Sequence, residues 1–377
     1  MKDQEVAFSC HLDHQRPGAN DNASGCVTIL ESARSLAALI KSGAIAPPAR
    51  TIRLIWPPEI EGTVTLLNAR PDFARRIRAV IHMDMVGGGS ATKAVFHVTR
   101  GPVSLPSFVH DVAWGFASWA NTESYEFAAS GQAEYPLTAP EGGREPLSAV
   151  STAYTMGSDH DVYQDSSFAI PAIYLNDWPD RYIHTNGDTA ANIDPTKLKR
   201  AGFIGAASAY YLANFSARDV ASARHAVDFG RLQRQSTSME RGAAPAVAAA
   251  YERAVDASVA SFGDGGYAAT RLVGVRPPSA DGARYRRKIE PKGPLAVFGY
   301  DYFADHAATA GVSEPRLLSY RGAWGGGEEY AYEALNLADG TRSVRQIAEL
   351  LSAAYGSVPI DLVAEYLGAL QRIGVVE

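Results

Sequence analysis

Five short stretches of this sequence carry histidine and carboxylate side chains of the types a buried metal centre uses. They are CHLDH at 10–14, GANDNASG at 18–25, WPPEIEG at 56–62, HMDMVG at 82–87 and RYIHTNGDT at 181–189. Zinc takes imidazole nitrogen and carboxylate oxygen, and a hydrolytic site keeps one position open for water. His11 and His184 would supply nitrogen, and Asp21 and Asp84 oxygen. A carboxylate has two oxygens, so Asp21 could bridge two ions, a pairing that stabilises both an attacking water and a developing oxyanion. Glu59, left free, could take the proton from that water. Asp13 follows His11 by two residues and shares its face if the strand runs that far. There it would accept the second ring N–H of His11. Each stretch alone has a plainer reading: HLD as a surface pair, DNASG as a helix N-cap, HTNGDT as a loop, HMDM as a buried Asp. Their joint occurrence favours chemistry.

The elements that must position these residues are legible between 1 and 215. EVAFSC, TIRLIW, KAVFHVTR and AIPAIYL read as strands, and FARRIRAVIHMDMVG as a helix end followed by a strand. The segment after DNASG reads as a helix with Val27, Leu30, Ala33, Ala37 and Ile40 on one face. LPSFVHDVAWGFASWA and PTKLKRAGFIGAASAYYLANF read as further helices. Strands alternating with helices predict an α/β three-layer sandwich with a mixed, mostly parallel sheet. Sites in such sheets form at the carboxyl ends of strands. Every one of the five stretches falls at a strand end or in the loop that follows.

Downstream the pattern changes. Residues 216–330 form an accessory region, helical and Ala/Arg-rich to about 260, then Gly/Pro-rich and irregular, with a small basic patch at RYRRK. Residues 331–377 read as two amphipathic helices, with Ile347, Leu350, Leu351 and Ala354 on one and Val363, Tyr366, Leu367 and Leu370 on the other. GVVE would close as a strand. This tail resembles a winged-helix or PqqD-like module. It has more acidic than basic residues, so protein docking or domain packing suits it better than phosphate contact.

Bulk properties narrow the rest. A chain of 377 residues has room for two or three domains. A net charge of −6 argues against a general nucleic-acid binder. Two cysteines, Cys10 and Cys26, are too few for a disulfide framework; they read as buried thiols, with a single bond between them as the alternative. No apolar run approaches the roughly 20 residues of a membrane span, and MKDQEVAFSC lacks the apolar core of a signal peptide. The expectation is a cytoplasmic protein with no membrane partner; the sequence leaves its oligomeric state open.

Taken in order, HLD, DNASG, HMDM, GSDH and HTNGDT resemble the zinc metallopeptidase family of bacterial leucyl aminopeptidase, aminopeptidase Y and glutamate carboxypeptidase. The resemblance covers roughly residues 5–215. It implies one or two zinc ions, with His11 and Asp84 on one, His184 on the other and Asp21 between them. Asp13 would orient His11. Ser158, Asp159, His160 and Asp188 would line the pocket or support the ligands. Two features depart from the family pattern. The adjacent Glu-Glu of the family is Glu59-Ile60 here; Ile60 cannot bind zinc, and Glu61 is the candidate substitute as ligand or as alternate base. Glu59 itself could be a ligand, with the base elsewhere. Only nine residues precede Cys10 and the HxD motif, which suggests that strands at the front of the domain are missing. The implied activity is a zinc-dependent exopeptidase, foremost an aminopeptidase acting on a peptide or amino-acid amide. The alternatives are a carboxypeptidase, an amidohydrolase, a cyclase acting on N-terminal Gln, or a non-catalytic binding relic.

Overall fold

The computed structural model describes residues 1–242, 245–264, 282–297, 300–322 and 326–377. Along the chain run β1 (Glu5–Ser9), α1 (Gly25–Lys41), β2 (Thr51–Ile55), α2 (Glu61–Ala69), α3 (Pro71–Arg76), β3 (Ile77–Asp84), β4 (Val95–Thr99), α4 (Val109–Ser130) and β5 (Val150–Thr152). There follow α5 (His160–Gln164), β6 (Ala172–Trp178), α6 (Pro195–Asn214), α7 (Val220–Glu240) and α8 (Pro245–Gly263). Six of these strands form one sheet in the order β2-β1-β3-β6-β4-β5. The first four are mutually parallel; β4 runs antiparallel to β6, and β5 runs parallel to β4.

Strand alternation sorts side chains between two apolar layers. Val6 and Phe8 of β1, with Ala79, Ile81 and Met83 of β3, face the core shared with residues of α1, α4 and α6. Ala7 and Val80 face the opposite layer, with Ile60 and Leu67 on one side and Val162 and Tyr163 of α5 on the other. His82 and Asp84 share the parity of Val80, so β3 delivers them toward α5 rather than into the larger core. This is the expected mixed, mostly parallel three-layer arrangement.

The face of α1 is a correction. Val27 and Leu30 are exposed, whereas Cys26, Ile29, Ser32 and Leu36 are buried. Both stripes have helical spacing, so periodicity could not choose between them. Close approach chose: a Cβ on Gly25 would lie 2.4 Å from the carbonyl oxygen of Met83, which pins the start of α1 against the end of β3. Ser32 donates to the carbonyl of Gly202 on α6, 3.2 Å away. A second correction concerns apolar length. Ala19–Lys41 does meet the length and composition of a membrane span. In this fold it is the turn bearing Asp21 together with α1. Cys10 and Cys26 are buried free thiols, as expected.

The region from 261 to 330 contains more structure than its composition suggests. Its described parts include β7 (Arg284–Arg286), β8 (Ala296–Val297), β9 (Tyr300–Asp301), α9 (Tyr302–Ala310) and the start of α10 (Gly327–Leu337). The chain ends with β10 (Asp339–Ser343), α11 (Val344–Tyr355) and α12 (Ile360–Arg372). The RYRRK patch is largely β7, which pairs antiparallel with β10, and Arg287 bridges to Val376 in GVVE. Ile347, Leu350, Leu351, Val363, Tyr366, Leu367 and Leu370 all fall in a second core. That core meets α5 where Tyr332 Oη donates to the carbonyl of Asp161 at 2.7 Å and Arg287 pairs with Asp165 at the end of the helix at 2.7 Å.

One ion cluster ties β1 to its neighbours. Buried Glu5 accepts hydrogen bonds from Arg53 of β2 and, at 2.9 Å, from Arg76 of α3. Burial opposes the Glu5 charge, and the two arginines outweigh it, so its pKa lies below the usual 4.5. A depressed carboxylate contributes stability above its unfolded pKa and loses it as pH falls through the folded value. Glu5→Gln is expected to cost about 1–2 kcal/mol near neutral pH, discounted because both arginines are partly exposed. The deficit should vanish as the pH falls below the folded pKa of Glu5. Urea unfolding of both proteins at neutral and acid pH measures it; a deficit that persists in acid would refute the assignment.

Candidate metal centre

The GANDNASG turn is held by side-chain hydrogen bonds to the end of β3. Asn22 donates to the Met83 carbonyl at 3.2 Å, and its Oδ1 accepts the amides of Gly25 and Met85, each at 3.2 Å. Asn20 Oδ1 accepts Gly87 N–H at 2.9 Å, and Ser24 Oγ accepts Val86 N–H at 2.9 Å. From the other side Asp188 of HTNGDT accepts the amides of Asn20 and Asp21 at 2.6 and 3.0 Å. Gly18 gives the turn its closeness, since a Cβ there would sit 1.8 Å from the Asp21 carbonyl oxygen. The motif is therefore a clamp. Its polar residues hold Asp21 between β3 and the 184–188 loop.

Three imidazoles surround that carboxylate. His11 Nε2 lies 3.3 Å from Asp21 Oδ1 and 3.4 Å from Asp84 Oδ2. His184 Nε2 lies 3.0 Å from Asp21 Oδ2, and His14 Nε2 lies 3.1 Å from the same oxygen. Two groups of candidate ligands result among the described residues: His11, Asp21 and Asp84, all buried, and His14, Asp21 and His184, which is more open. His14 was not among the residues singled out from the sequence. Its signal was present in CHLDH, where a second histidine follows His11 by three residues.

The first group bears the marks of a cation site. Asp84 Oδ1 is buried and has no hydrogen-bond partner among the described residues. Burial disfavours a charge on His11, yet the carboxylates of Asp84 and Asp21 overcome it and push its pKa up to about 12. An environment that draws a proton so strongly onto imidazole has negative field to spare for a divalent ion. Imidazole and carboxylate together are the donor set zinc takes.

The remaining candidates surround this core. Glu59 Oε1 stands 4.0 Å from His11 Nε2, one-quarter exposed, and joins neither ligand group. Burial and the Asp84 charge, partly offset by His11, push its pKa up to about 8. Asp13 sits differently from the expectation. β1 ends at Ser9, so strand parity does not reach it. The His11 Nδ1–H is taken by the Asp13 main-chain carbonyl at 2.9 Å, while the exposed Asp13 carboxylate accepts the Glu59 amide at 2.8 Å. Asp159 accepts the Ile60 amide at 2.7 Å. The two aspartates thus fix the Glu59–Ile60 turn, in which Ile60 has a φ of 54°. Met85 and His184 also have positive φ, at 55° and 56°, and such backbone outliers gather at functional sites.

Ser158 donates to Asp84 Oδ2 at 2.7 Å and in turn accepts from His82 Nε2 at 2.8 Å. Burial holds the His82 pKa well below its usual value, so it acts as a neutral donor. Sequence reasoning gave His82 no role. Two candidates stand apart from the cluster. Glu61 is exposed on the first turn of α2, and Ile60 is packed in the apolar layer. His160 is fully buried, gives its Nε2–H to the Thr155 carbonyl at 2.7 Å and stacks on Tyr174.

Because Asp188 holds two amides of the Asp21 turn, Asp188→Ala is expected to weaken zinc binding by about 10- to 100-fold. Asp188→Asn keeps one acceptor oxygen and should fall between. Competition with a chromophoric chelator reads both; unchanged affinity in the alanine variant would show that the clamp does not serve the ligands.

Residues 1–209 match the family model for peptidase family M28. A search of curated proteins gives no match. Among solved structures the chain is similar to a presumed peptidase from Clostridium acetobutylicum, at 13% identity and a TM-score of 0.42, covering 100% of this chain and 58% of that one. It is similar to the zinc aminopeptidase BSAP of Bacillus subtilis, at 21% identity and a TM-score of 0.41, covering 56% and 46%. A Macrostomum lignano glutaminyl cyclase gives 17% identity and a TM-score of 0.41, covering 56% and 68%. The chain spans about half the length of the first two.

Proposed function

The chain belongs to peptidase family M28, and from that premise we propose that it is a zinc-dependent exopeptidase, acting as an aminopeptidase. The observation that carries this reading is the Glu59 carboxylate, 4.0 Å from His11 Nε2 beside two ligand groups that share Asp21. His11, Asp21 and Asp84 would hold one ion, and Asp21 with His184 would face a second. When bound, zinc supplies Lewis acidity that polarises the scissile carbonyl and makes water more acidic. Glu59 takes the proton from the attacking water on its carboxylate and hands it to the departing amine. Ser158 and His82 keep Asp84 oriented, and Asp13 and Asp159 keep Glu59 in place.

An aminopeptidase must favour a substrate end bearing a free ammonium. Asp13, more than half exposed, puts a carboxylate on the open side of the cluster. A cationic amino terminus is attracted by that field, and a carboxylate terminus is repelled. The test uses paired substrates: aminoacyl amides with free and acetylated amines, before and after zinc removal by chelation. Cleavage only of the free-amine compound, lost on chelation and restored by zinc, is the expected result. Equal cleavage of both, or of C-terminally free substrates alone, would overturn the aminopeptidase assignment.

A further inference from the structure

We infer that His14 is a metal ligand, the third protein donor of a second cation position formed with Asp21 and His184. The inference rests on the reading of the Asp21 cluster as a metal centre and goes beyond the residues assigned to it above. The donor geometry is the first argument. Four ligands about 2.0–2.1 Å from a tetrahedral zinc are about 3.3 Å from one another. The separations from Asp21 Oδ2 to His14 Nε2 and His184 Nε2 are 3.1 and 3.0 Å. Those in the buried group, from His11 Nε2 to Asp21 and Asp84, are 3.3 and 3.4 Å. In each group the two separations that share a donor are close to the edge of a zinc tetrahedron, and all three donor atoms lie within 4.8 Å of one another. The His14 and His184 rings lie 5.4 Å apart between centroids, tilted by 43°, and their Nε2 atoms converge on the same oxygen.

The orientation of the His14 ring points the same way. His14 gives its Nδ1–H to the carbonyl of Arg16 at 2.7 Å, as His11 gives its own to the carbonyl of Asp13 at 2.9 Å. Each ring is held by the carbonyl two residues downstream, and in each the Nε2 atom is turned toward Asp21. A second-ring hydrogen bond to a carbonyl is how metal-binding imidazoles are oriented. The repeated geometry marks His14 as the counterpart of His11.

The second position also lacks a third donor without His14. The Glu59–Glu61 turn sends no carboxylate to this position, because Ile60 is packed in the apolar layer and Glu61 is exposed on α2. Asp21 and His184 alone would be two protein donors. With His14 there are three, the number that holds an ion and leaves a coordination position open. The side chains of His14 and His184 are 21% and 53% exposed, against 2% for His11 and 6% for Asp84. The His14 position is therefore the outer one, more accessible to solvent and exchanging its ion first.

Zinc content after equilibrium dialysis at a series of free-zinc concentrations, and visible absorption of the cobalt-loaded protein, test the inference without an activity assay. The parent should take up two equivalents, the second more weakly. His14→Ala and His184→Ala should each take up one, with the tighter affinity unchanged, and the double variant should lose no more than either alone. Circular dichroism of the metal-free variants checks that they are folded; His14 lies on a surface loop. A parent and a His14→Ala protein that bind the same number of equivalents with the same affinities would overturn the role of His14 while leaving the inner site standing. A parent that binds no zinc or cobalt would overturn the metal centre and this inference together.

Discussion

Glu59→Gln is expected to lower turnover of an aminoacyl amide by about 10²- to 10⁴-fold, the usual contribution of a positioned general base. The bound zinc should remain that of the parent. The split between activity and metal content follows from geometry. Glu59 joins neither ligand group, yet its Oε1 is 4.0 Å from the His11 nitrogen that faces Asp21 and Asp84. Glutamine matches the shape of glutamate and cannot accept the proton of water. The backbone that aims residue 59 is held by the carboxylates of Asp13 and Asp159 through the amides of residues 59 and 60. Those bonds survive the substitution, so the variant side chain stays where the carboxylate was. Glu61→Gln is the companion experiment. Its parent side chain is exposed on the first turn of α2, and its change should leave turnover near the parent value. Loss of activity in the Glu61 variant with full activity in the Glu59 variant would reverse the two assignments. Loss of zinc from Glu59→Gln would make Glu59 a ligand instead of a base.

How far the sequence carried these conclusions depended on the kind of signal. The strand ahead of HMDM is legible as an apolar run, and in the fold its alternation sets Ala79, Ile81 and Met83 in one apolar layer and Val80 in the other. The order of the motifs brought Asp21, Asp84, His11 and His184 to one place, because strands of a mostly parallel sheet end on the same edge. Beyond a regular element, the sequence carries no period that fixes a side chain's direction. Asp13 was argued from strand parity, but β1 stops at Ser9 and the chain there is irregular. The split between Glu59 and Glu61 depended on where α2 begins, which the extended and helical alternatives left open. The wrong stripe on α1 arose because Cys26, Ile29 and Leu36 repeat as regularly as Val27, Leu30 and Ala37. The contacts of Gly25 with Met83 and of Ser32 with Gly202 distinguish them. His14 lies in a loop, where no periodicity links it to Asp21 seven residues on, and its other partner, His184, is 170 residues away.

Asp21→Asn should have the widest effect of any single substitution in this protein, because its carboxylate belongs to both ligand groups. One oxygen faces His11 and the other faces His14 and His184. Burial works against the Asp21 charge, but hydrogen bonding and attraction to His11, with smaller contributions from His14 and His184, hold its pKa below the usual value. It is thus ionised and available to two cations at once. Asparagine keeps the shape and leaves in place the bonds from the backbone amides of Asn20 and Asp21 to Asp188. The metal-free variant should therefore fold. It removes the shared negative charge and replaces one oxygen with a donor NH₂, which repels a cation. A ligand that binds only the folded state raises stability by RT ln(1 + [L]/Kd), about 4.1 kcal/mol at a thousandfold excess over Kd. Zinc should raise the melting temperature of the parent, raise that of His14→Ala by less, and leave that of Asp21→Asn unchanged. In the Asp21→Asn background, His14→Ala should add no further loss, the non-additivity expected of residues sharing one ion. An Asp21→Asn protein that still gains the parent's full thermal shift from zinc would show that the ions are held elsewhere, and the two-group arrangement around this carboxylate would have to be abandoned.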